Sequence, residues 1–261
     1  MTGKILFFDI DGTIYRTGEG VPGTTAEALR ECARRGHRLL MCTGRGYSSL
    51  PAEVQALPFS GGVFSCGTHV LLDDRALLDA AIEGEDCGKI REILYRHQCP
   101  FFVNNSDYIY YDPEYYPEGF ESIIHRMKRS YPGNLQPLQK LPDRISKLTA
   151  YPKYRSLIPQ IAEEMKPWFD LIDYQEYRYI ELVLRGCTKG TGVDLVLREL
   201  GADPSDAYGF GDSDNDAPML DAVGNGFIMA GAPKHLRSRY SCAGAMDRGG
   251  LADTLQNLGL I

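Results

Sequence analysis

Ile5 to Phe8 is a continuous apolar run of strand length that breaks at Asp9. Thr24 to Arg35 follows, with Ala26, Leu29, Cys32 and Ala33 at helical spacing and Gly36 as a stop, and Leu39 to Cys42 is a second apolar run. This pattern predicts a strand, a helix and a strand. Uninterrupted apolar runs leave no face for water, so the two strands are expected to be parallel and covered on both sides. They end at Asp9 and Thr43, which puts both polar ends at one edge of one sheet. The alternation resumes late in the chain: Thr191 to Leu200 carries Val193, Val196, Leu197 and Leu200 at helical spacing, with Gly201 after it. A-Y-G-F then runs into G-D-S-D-N-D, Asp216 to Val223 reads as a short helix closed by Gly224, and G-F-I-M-A as another buried strand.

Between these pieces the pattern changes. Asp86 to His97 reads as a helix, F-F-V-N-N-S-D-Y-I-Y-Y as a hairpin turning on Asn105 to Asp107, and Pro117 to Ser130 as a helix. Ile145 to Tyr151 suits a strand, Arg155 to Lys166 a helix, and F-D-L-I-D-Y-Q-E-Y-R-Y-I-E-L-V-L a second hairpin. Hairpins do not belong inside an all-parallel sheet, so residues 83–185 are expected to form an α+β domain, in the order αββ, αβ, αββ, inserted into an α/β core of residues 1–82 and 186–261.

Composition narrows the function classes. Asp and Glu outnumber Lys and Arg by 35 to 28, a formal charge of -7, and the basic residues are scattered, which argues against nucleic acid as a partner. No apolar stretch reaches membrane-spanning length and the first apolar run is too short for a secretory leader, so neither a membrane nor export is expected and the location is read as cytoplasmic. Seven cysteines (Cys32, Cys42, Cys66, Cys87, Cys99, Cys187, Cys242) contain no C-x-x-C pair, so they are read as small hydrophobes rather than a disulfide or zinc framework. Composition does not address the oligomeric state.

The predicted sheet edge gathers Asp9 and Asp11 from one strand end and Asp212, Asp214 and Asp216 from another. Converging carboxylates repel, and a hard cation bound through oxygen is the usual remedy; Mg²⁺ is held by one or two carboxylates together with substrate phosphate and water. Phosphate fits what remains. Thr43 and Gly44 offer a hydroxyl and an accessible N–H, Lys189 in T-K-G-T opens a helix with positive charge, and Asn215 adds a neutral donor. Asp9, nearest the strand end, would attack phosphorus as a nucleophile. Asp11, two residues on and returned by a turn at Gly12, would protonate the leaving group and then take a proton from water. Arg45 reads equally as a charged contact near the site or as a surface salt bridge.

D-I-D-G-T, the T-G of C-T-G-R, Lys189 and G-D-S-D-N-D together resemble the four motifs of the haloacid dehalogenase superfamily, closest to its Cof-type branch, subfamily IIB. The resemblance implies a Rossmann-like parallel-sheet core with an inserted type C2B cap. It also implies a Mg²⁺-dependent phosphatase of small phosphorylated metabolites, with a phospho-aspartate intermediate. Asp9 would be nucleophile and metal ligand. Asp11 would be acid/base and reach the metal through its backbone carbonyl, and Asp212 would be the further metal carboxylate. Thr43, Gly44 and Lys189 would hold the phosphoryl group. Asp216 would orient Lys189 or metal-bound water, and Asn215 would contact phosphate or substrate. Two departures, F-S-C-G-T-H for the family's asparagine-glycine pair and A-G-A-P-K-H without the usual asparagine, bear on substrate contacts.

Sugar phosphates are the first expectation for the substrate, and cofactor phosphates of the flavin or pyridoxal kind the second. The rivals are a phosphomutase using the same aspartate pair and a metabolite-binding regulatory protein without turnover. D-S-D-N-D does not fit a calcium loop, which wants glycine and glutamate where Ala217 and Val223 stand. Asn104-Asn105-Ser106, a glycosylation match, is read as turn chemistry. Tyr108, Tyr110, Tyr111, Tyr115 and Tyr116 are read as packing a sheet face against a helix, with stacking on substrate as the alternative.

Overall fold

The computed structural model describes residues 3–115, 120–131, 133–138, 143–173 and 178–261. The chain divides into two compact units. One takes in the chain as far as Arg45, then Leu50–Leu78 and Thr188–Ile261; the other comprises Gly46–Ser49 and Asp79–Cys187.

The first unit is built on an eight-stranded sheet in the order Ser241–Cys242, Asn225–Ile228, Ala207–Gly211, Ile5–Phe8, Arg38–Cys42, Gly61–Phe64, His69–Leu72, Arg75–Asp79. The first six of these run parallel to their neighbours. The parallel sheet read from the apolar runs is therefore present, but His69–Leu72 departs from it and pairs antiparallel with Gly61–Phe64. Only residues 65–68 separate those two strands, far short of the dozen or so a parallel crossover needs. Ile5 and Phe7 pack on one face with Val193, Val196 and Leu197 of the helix Lys189–Leu200. Leu6 and Phe8 pack on the other with Leu29 and Cys32 of the helix Gly23–Arg34. That two-sided burial is why Ile5–Phe8 shows no polar alternation. Phe8 stacks on Phe210 of the neighbouring strand at 5.0 Å between ring centroids.

The second unit has a six-stranded sheet in the order Phe169–Asp173, Ile180–Leu184, Lys147–Ala150, Phe101–Asn104, Ile109–Tyr111, Leu135–Pro137. Both hairpins form: Phe101–Asn104 pairs antiparallel with Ile109–Tyr111, and Phe169–Asp173 with Ile180–Leu184. Asn105 Oδ1 accepts from the Asp107 and Tyr108 amides at 2.9 and 2.8 Å, the Asx turn that the Asn-Ser-Asp sequence favours. The turn residues 174–177 of the second hairpin lie outside the described residues. So do residues 117–119 at the start of the helix read from Pro117, whose described part is Glu121–Ser130. The strand read as Ile145 to Tyr151 is divided. Ile145 pairs with Ile82 in a separate ribbon, and Lys147–Ala150 joins the sheet, because the Ser146 amide and hydroxyl both donate to the Asn104 carbonyl. Tyr111 is buried and Tyr115 packs on Tyr95 at 4.5 Å, whereas Tyr108 is exposed and Tyr116 lies outside the described residues. All seven cysteines are free; five are buried, Cys187 is half-buried and Cys242 is exposed, so the small-hydrophobe reading holds for five.

Candidate active site

The strand Ile5–Phe8 ends because its last neighbour bond, from the Asp9 amide to the Phe210 carbonyl at 2.8 Å, is followed by a turn. In that turn the Ile14 and Tyr15 amides both donate to the Ile10 carbonyl, at 3.0 and 2.9 Å, and the Gly12 amide donates to the Tyr15 carbonyl at 2.9 Å. Gly12 holds a φ of +87°, and a Cβ there would stand 2.1 Å from Asp212 Oδ2. Only glycine supplies both the left-handed backbone and the space for a carboxylate against it. The D-G step thus bends the first loop and also admits Asp212 from the end of Ala207–Gly211.

Lys189 arrives on a helix whose start is written in T-K-G-T. Thr188 caps it, accepting from the Thr191 amide at 3.1 Å while the Thr191 hydroxyl accepts from the Thr188 amide at 2.9 Å. Gly192 lets this turn lie against the sheet, since a Cβ there would meet Val63 at 2.4 Å. The result is a lysine only 1% exposed. Its Nζ donates to Asp9 Oδ1 at 2.7 Å and to Asp216 Oδ1 at 2.5 Å.

Asp9, Asp212 and Asp216 each bring a carboxylate oxygen within 4.8 Å of the others. Hydrogen bonding separates their parts. Asp216 Oδ1 takes Lys189, and Oδ2 accepts from the Asp212 and Ser213 amides at 2.9 and 3.0 Å; the Ser213 hydroxyl, 3.2 Å from Oδ2, has one proton to share between it and the nearer Asn215 Oδ1. Oδ2 is thereby committed to the Asp212–Ser213 turn, while Oδ1 keeps a lone pair beside its bond from Lys189. Asp9 and Asp212, less tied into the protein than Asp216, offer hard carboxylate oxygens that could hold a divalent cation, with a carboxylate oxygen of Asp216 within reach of both. Burial first, and then the charge of Asp216, holds the Asp9 carboxyl well above the ordinary carboxylate range, against the opposing pull of Lys189. The same two causes push Asp212 up to about 7. Burial works against the charge on Lys189, but the carboxylates of Asp216 and Asp9 outweigh it and hold its pKa well above the ordinary lysine value.

Asp11 lies outside this knot. Its carboxylate is gripped at both oxygens by Arg45, with Nε to Oδ2 at 2.6 Å and Nη2 to Oδ1 at 2.7 Å, and the guanidinium also stands 5.6 Å from the Tyr15 ring centroid. Arg45 is 8% exposed against 47% for Asp11, so the arginine is the fixed partner and not a loose surface cation. Arg45 follows Thr43 and Gly44 directly, and the buried Thr43 hydroxyl accepts from the Arg45 amide at 3.1 Å. The Thr43 amide donates to the Val63 carbonyl at 2.8 Å, which sets Thr43 at the end of Arg38–Cys42, beside the strand that ends at Asp9. Asn215 is half-buried and accepts from the Ser213 hydroxyl at 2.9 Å. Asp214 is exposed and turned to His235.

Ser213 was not singled out from the sequence, although the serine three residues before Asp216 is the spacing of a capping box, which is the arrangement found here. The Arg45–Asp11 grip joins residues 34 positions apart, and no sequence spacing encodes it.

A mostly parallel sheet with helices on both faces and acidic residues at its strand ends is a doubly wound α/β protein. The chain belongs to the haloacid dehalogenase-like hydrolase family, whose model matches residues 6–253. It is 25% identical to YkrA of Bacillus subtilis (strain 168), with 100% of both chains covered. It is 26% identical to the HMP-PP phosphatase of Yersinia enterocolitica serotype O:8 / biotype 1B, covering 97% of this chain and 94% of that one. Among solved structures it is similar to the HAD subclass IIB sugar phosphatase BT4131, with a TM-score of 0.83, 20% identity, and 99% of this chain and 100% of that chain covered. Among the described residues no helix is long and apolar enough to cross a membrane.

Proposed function

We propose that the protein is a Mg²⁺-dependent phosphatase that hydrolyses small phosphorylated metabolites, sugar phosphates first and cofactor phosphates second, through a phosphorylated Asp9. The observation that carries this reading is the buried Asp9–Lys189–Asp216 knot with Asp212 beside it. A buried ion pair rarely adds net stability, and three carboxylates around one ammonium leave excess negative charge in the protein's interior. Such an arrangement makes physical sense as a receptor for a cation and a phosphoryl group. The names of the relatives, an HMP-PP phosphatase and a sugar phosphatase, support small phosphorylated substrates.

In this reading Asp9 attacks phosphorus, a bond forms between its carboxylate oxygen and phosphorus, and the bond to the leaving oxygen breaks. Asp11 gives its proton to that oxygen. Water then attacks phosphorus, Asp11 takes a proton from that water, and the acyl-phosphate bond breaks to release phosphate and the Asp9 carboxylate. Lys189 fixes the Asp9 carboxylate through Oδ1 and offers its charge to the phosphoryl oxygens, as Thr43, Gly44 and Asn215 offer donors. Asp216 holds Lys189 and the Asp212 loop in place, and Arg45 sets where the Asp11 carboxylate stands. Asp9, Asp212 and the Asp11 backbone carbonyl would hold Mg²⁺, which when bound neutralises charge on the carboxylates and the phosphoryl group.

The test is a panel of hexose phosphates, FMN, pyridoxal 5′-phosphate and p-nitrophenyl phosphate, run on the purified chain with Mg²⁺ and with EDTA. Phosphate release from hexose phosphates that EDTA abolishes and added Mg²⁺ restores is the expected result. Hydrolysis of nothing in the panel refutes the reading.

The acids also predict how stability depends on pH. Below about 4 Asp212 is neutral in both folded and unfolded chains; above that the unfolded chain ionises first, because the folded value is about 7 against an ordinary 3.8. The metal-free protein therefore loses stability as pH rises from 4 through 7. Melting temperatures taken between pH 5 and pH 8 are expected to fall without metal, and Mg²⁺ to raise them more at pH 8 than at pH 5. A Mg²⁺ effect of the same size at both pH values would remove Asp212 from the metal site.

A further inference from the structure

The turn in F-S-C-G-T-H takes no part in the chemistry described so far, yet its backbone is held in a costly shape. After the strand Gly61–Phe64, Ser65, Cys66 and Gly67 stand at φ of +49°, +58° and +102°. Glycine alone adopts that left-handed region freely, so Ser65 and Cys66 carry strain that their surroundings must hold. All three residues are buried. Strain of this kind persists where neighbouring structure over-determines it, and it collects where geometry matters more than stability.

Two bonds fasten the turn. The Ser65 amide donates to the Arg45 carbonyl at 2.8 Å and the Cys66 amide to the Thr43 carbonyl at 3.1 Å, which ties it to both ends of the Thr43–Gly44–Arg45 loop. Its third residue meets Thr188, the cap of the helix Lys189–Leu200. A Cβ on Gly67 would stand 2.1 Å from the Thr188 carbonyl oxygen and 3.0 Å from the Thr188 nitrogen, where ordinary contact begins near 3.4 Å. Turn and helix start therefore pack backbone against backbone. Gly190 is as close to its own neighbour, since a Cβ there would lie 2.4 Å from the Pro218 carbonyl oxygen. Alanine is the better helix former, so glycine at 190 answers to that contact and not to the helix. Lys189 lies between Thr188 and Gly190 with its Nζ bonded to Asp9 and Asp216, and a buried, doubly bonded ammonium leaves the side chain little freedom to absorb a shift of its backbone.

We propose that Gly67 and Gly190 are positioning residues for the reaction: they set the spacing between the Thr43–Gly44–Arg45 loop and Lys189, so that the hydroxyl of one and the ammonium of the other converge on a single phosphoryl group. This role deepens the phosphatase reading and rests on it. A side chain at Gly67 parts the turn from Thr188 and carries Lys189 away from its place beside Asp9, and one at Gly190 displaces the same helix start from Pro218. A misplacement of about an ångström is enough to lower a rate by about 100-fold.

The experiment measures kcat and KM for p-nitrophenyl phosphate with Mg²⁺ on the full-length wild type, Gly67→Ala, Gly190→Ala, Gly61→Ala, Lys189→Met and each of the first two combined with Lys189→Met, every protein shown to be folded by a single cooperative melt. Gly61 is the matched control: its φ is +132° and a Cβ there would stand 2.3 Å from the Leu71 carbonyl oxygen of the adjacent strand. Gly67→Ala and Gly190→Ala are expected to lose about 10- to 100-fold in kcat with KM within about threefold of wild type. Gly61→Ala should melt lower yet keep its kcat. On Lys189→Met, adding either glycine variant should cost less than about threefold, because no ammonium is left to misplace. Where Gly67→Ala does not fold, Gly190→Ala and its double variant decide the matter. Folded glycine variants with kcat within about threefold of wild type overturn the positioning role, and so does a loss that multiplies in full with that of Lys189→Met, or an equal loss in Gly61→Ala; all three leave the phosphatase reading intact. Failure of the wild type to hydrolyse the substrate overturns both.

Discussion

Asp9→Asn is expected to lower kcat by roughly 10⁴- to 10⁶-fold, the range seen when a covalent nucleophile is removed, and at the same time to make the metal-free protein more stable. Both effects follow from the same geometry. In wild type, Asp9, Asp212 and Asp216 crowd around the single ammonium of Lys189, and burial already drives the Asp9 carboxyl well above its ordinary range. An asparagine keeps the oxygen that accepts from Lys189 but removes one charge, leaving Lys189 paired with Asp216 at 2.5 Å. Relief of about 1–2 kcal/mol raises Tm by roughly 2–8 °C for a chain of this size. Adding Mg²⁺ should reverse the order, stabilising wild type far more than the variant, because the variant has lost a ligand carboxylate. Turnover within tenfold of wild type would remove Asp9 from the chemistry. A variant less stable than wild type without metal would mean that the charge cluster is not strained.

What the sequence revealed and what it hid divide along a physical line. The strands Ile5–Phe8 and Arg38–Cys42, the helix between them and the helix Lys189–Leu200 were legible because their signals are local: continuous apolar runs, helical spacing, a threonine cap and a glycine stop. The meeting of Asp9 with Asp212 and Asp216 followed from parallel strands sharing one edge, which fixes where their ends meet whatever lies between them, whereas Lys189 was read only as a positive charge opening a helix. The strand His69–Leu72 and the edge strand Arg75–Asp79 beside it were missed. Their turn, Asp73-Asp74, has φ of +48° and +61° but lacks the glycine that normally signals such a hairpin, and Arg75–Asp79 shows no buried positions to betray a period. The Arg45–Asp11 grip stayed undetermined for another reason: a charge names the kind of partner it needs but not which one. Ser213 was legible as a capping-box residue from its place three positions before Asp216.

Lys189→Met tests the same knot from the opposite side. Methionine nearly matches the side-chain length, but it leaves Asp9 and Asp216 buried and facing each other without a cation, and breaking a buried pair in this way costs about 3–5 kcal/mol. The loss should show as a lower denaturation midpoint. It should shrink as pH falls, because protonating Asp9 removes the repulsion, and the Asp9 carboxyl already sits well above the ordinary range through burial and the charge of Asp216. Turnover should drop by about 10²- to 10³-fold, the effect of deleting one charged donor to a transferring group. The double variant Lys189→Met/Asp216→Asn separates the two consequences. Neutralising Asp216 takes away the uncompensated charge, so part of the lost stability returns, whereas turnover stays low because no ammonium is restored to the phosphoryl site. If stability and turnover recovered together, Lys189 would be acting only by keeping the carboxylates apart. If neither recovered, the bonds that Asp216 Oδ2 accepts from the Asp212 and Ser213 amides would be the stronger need, and the charge balance the weaker.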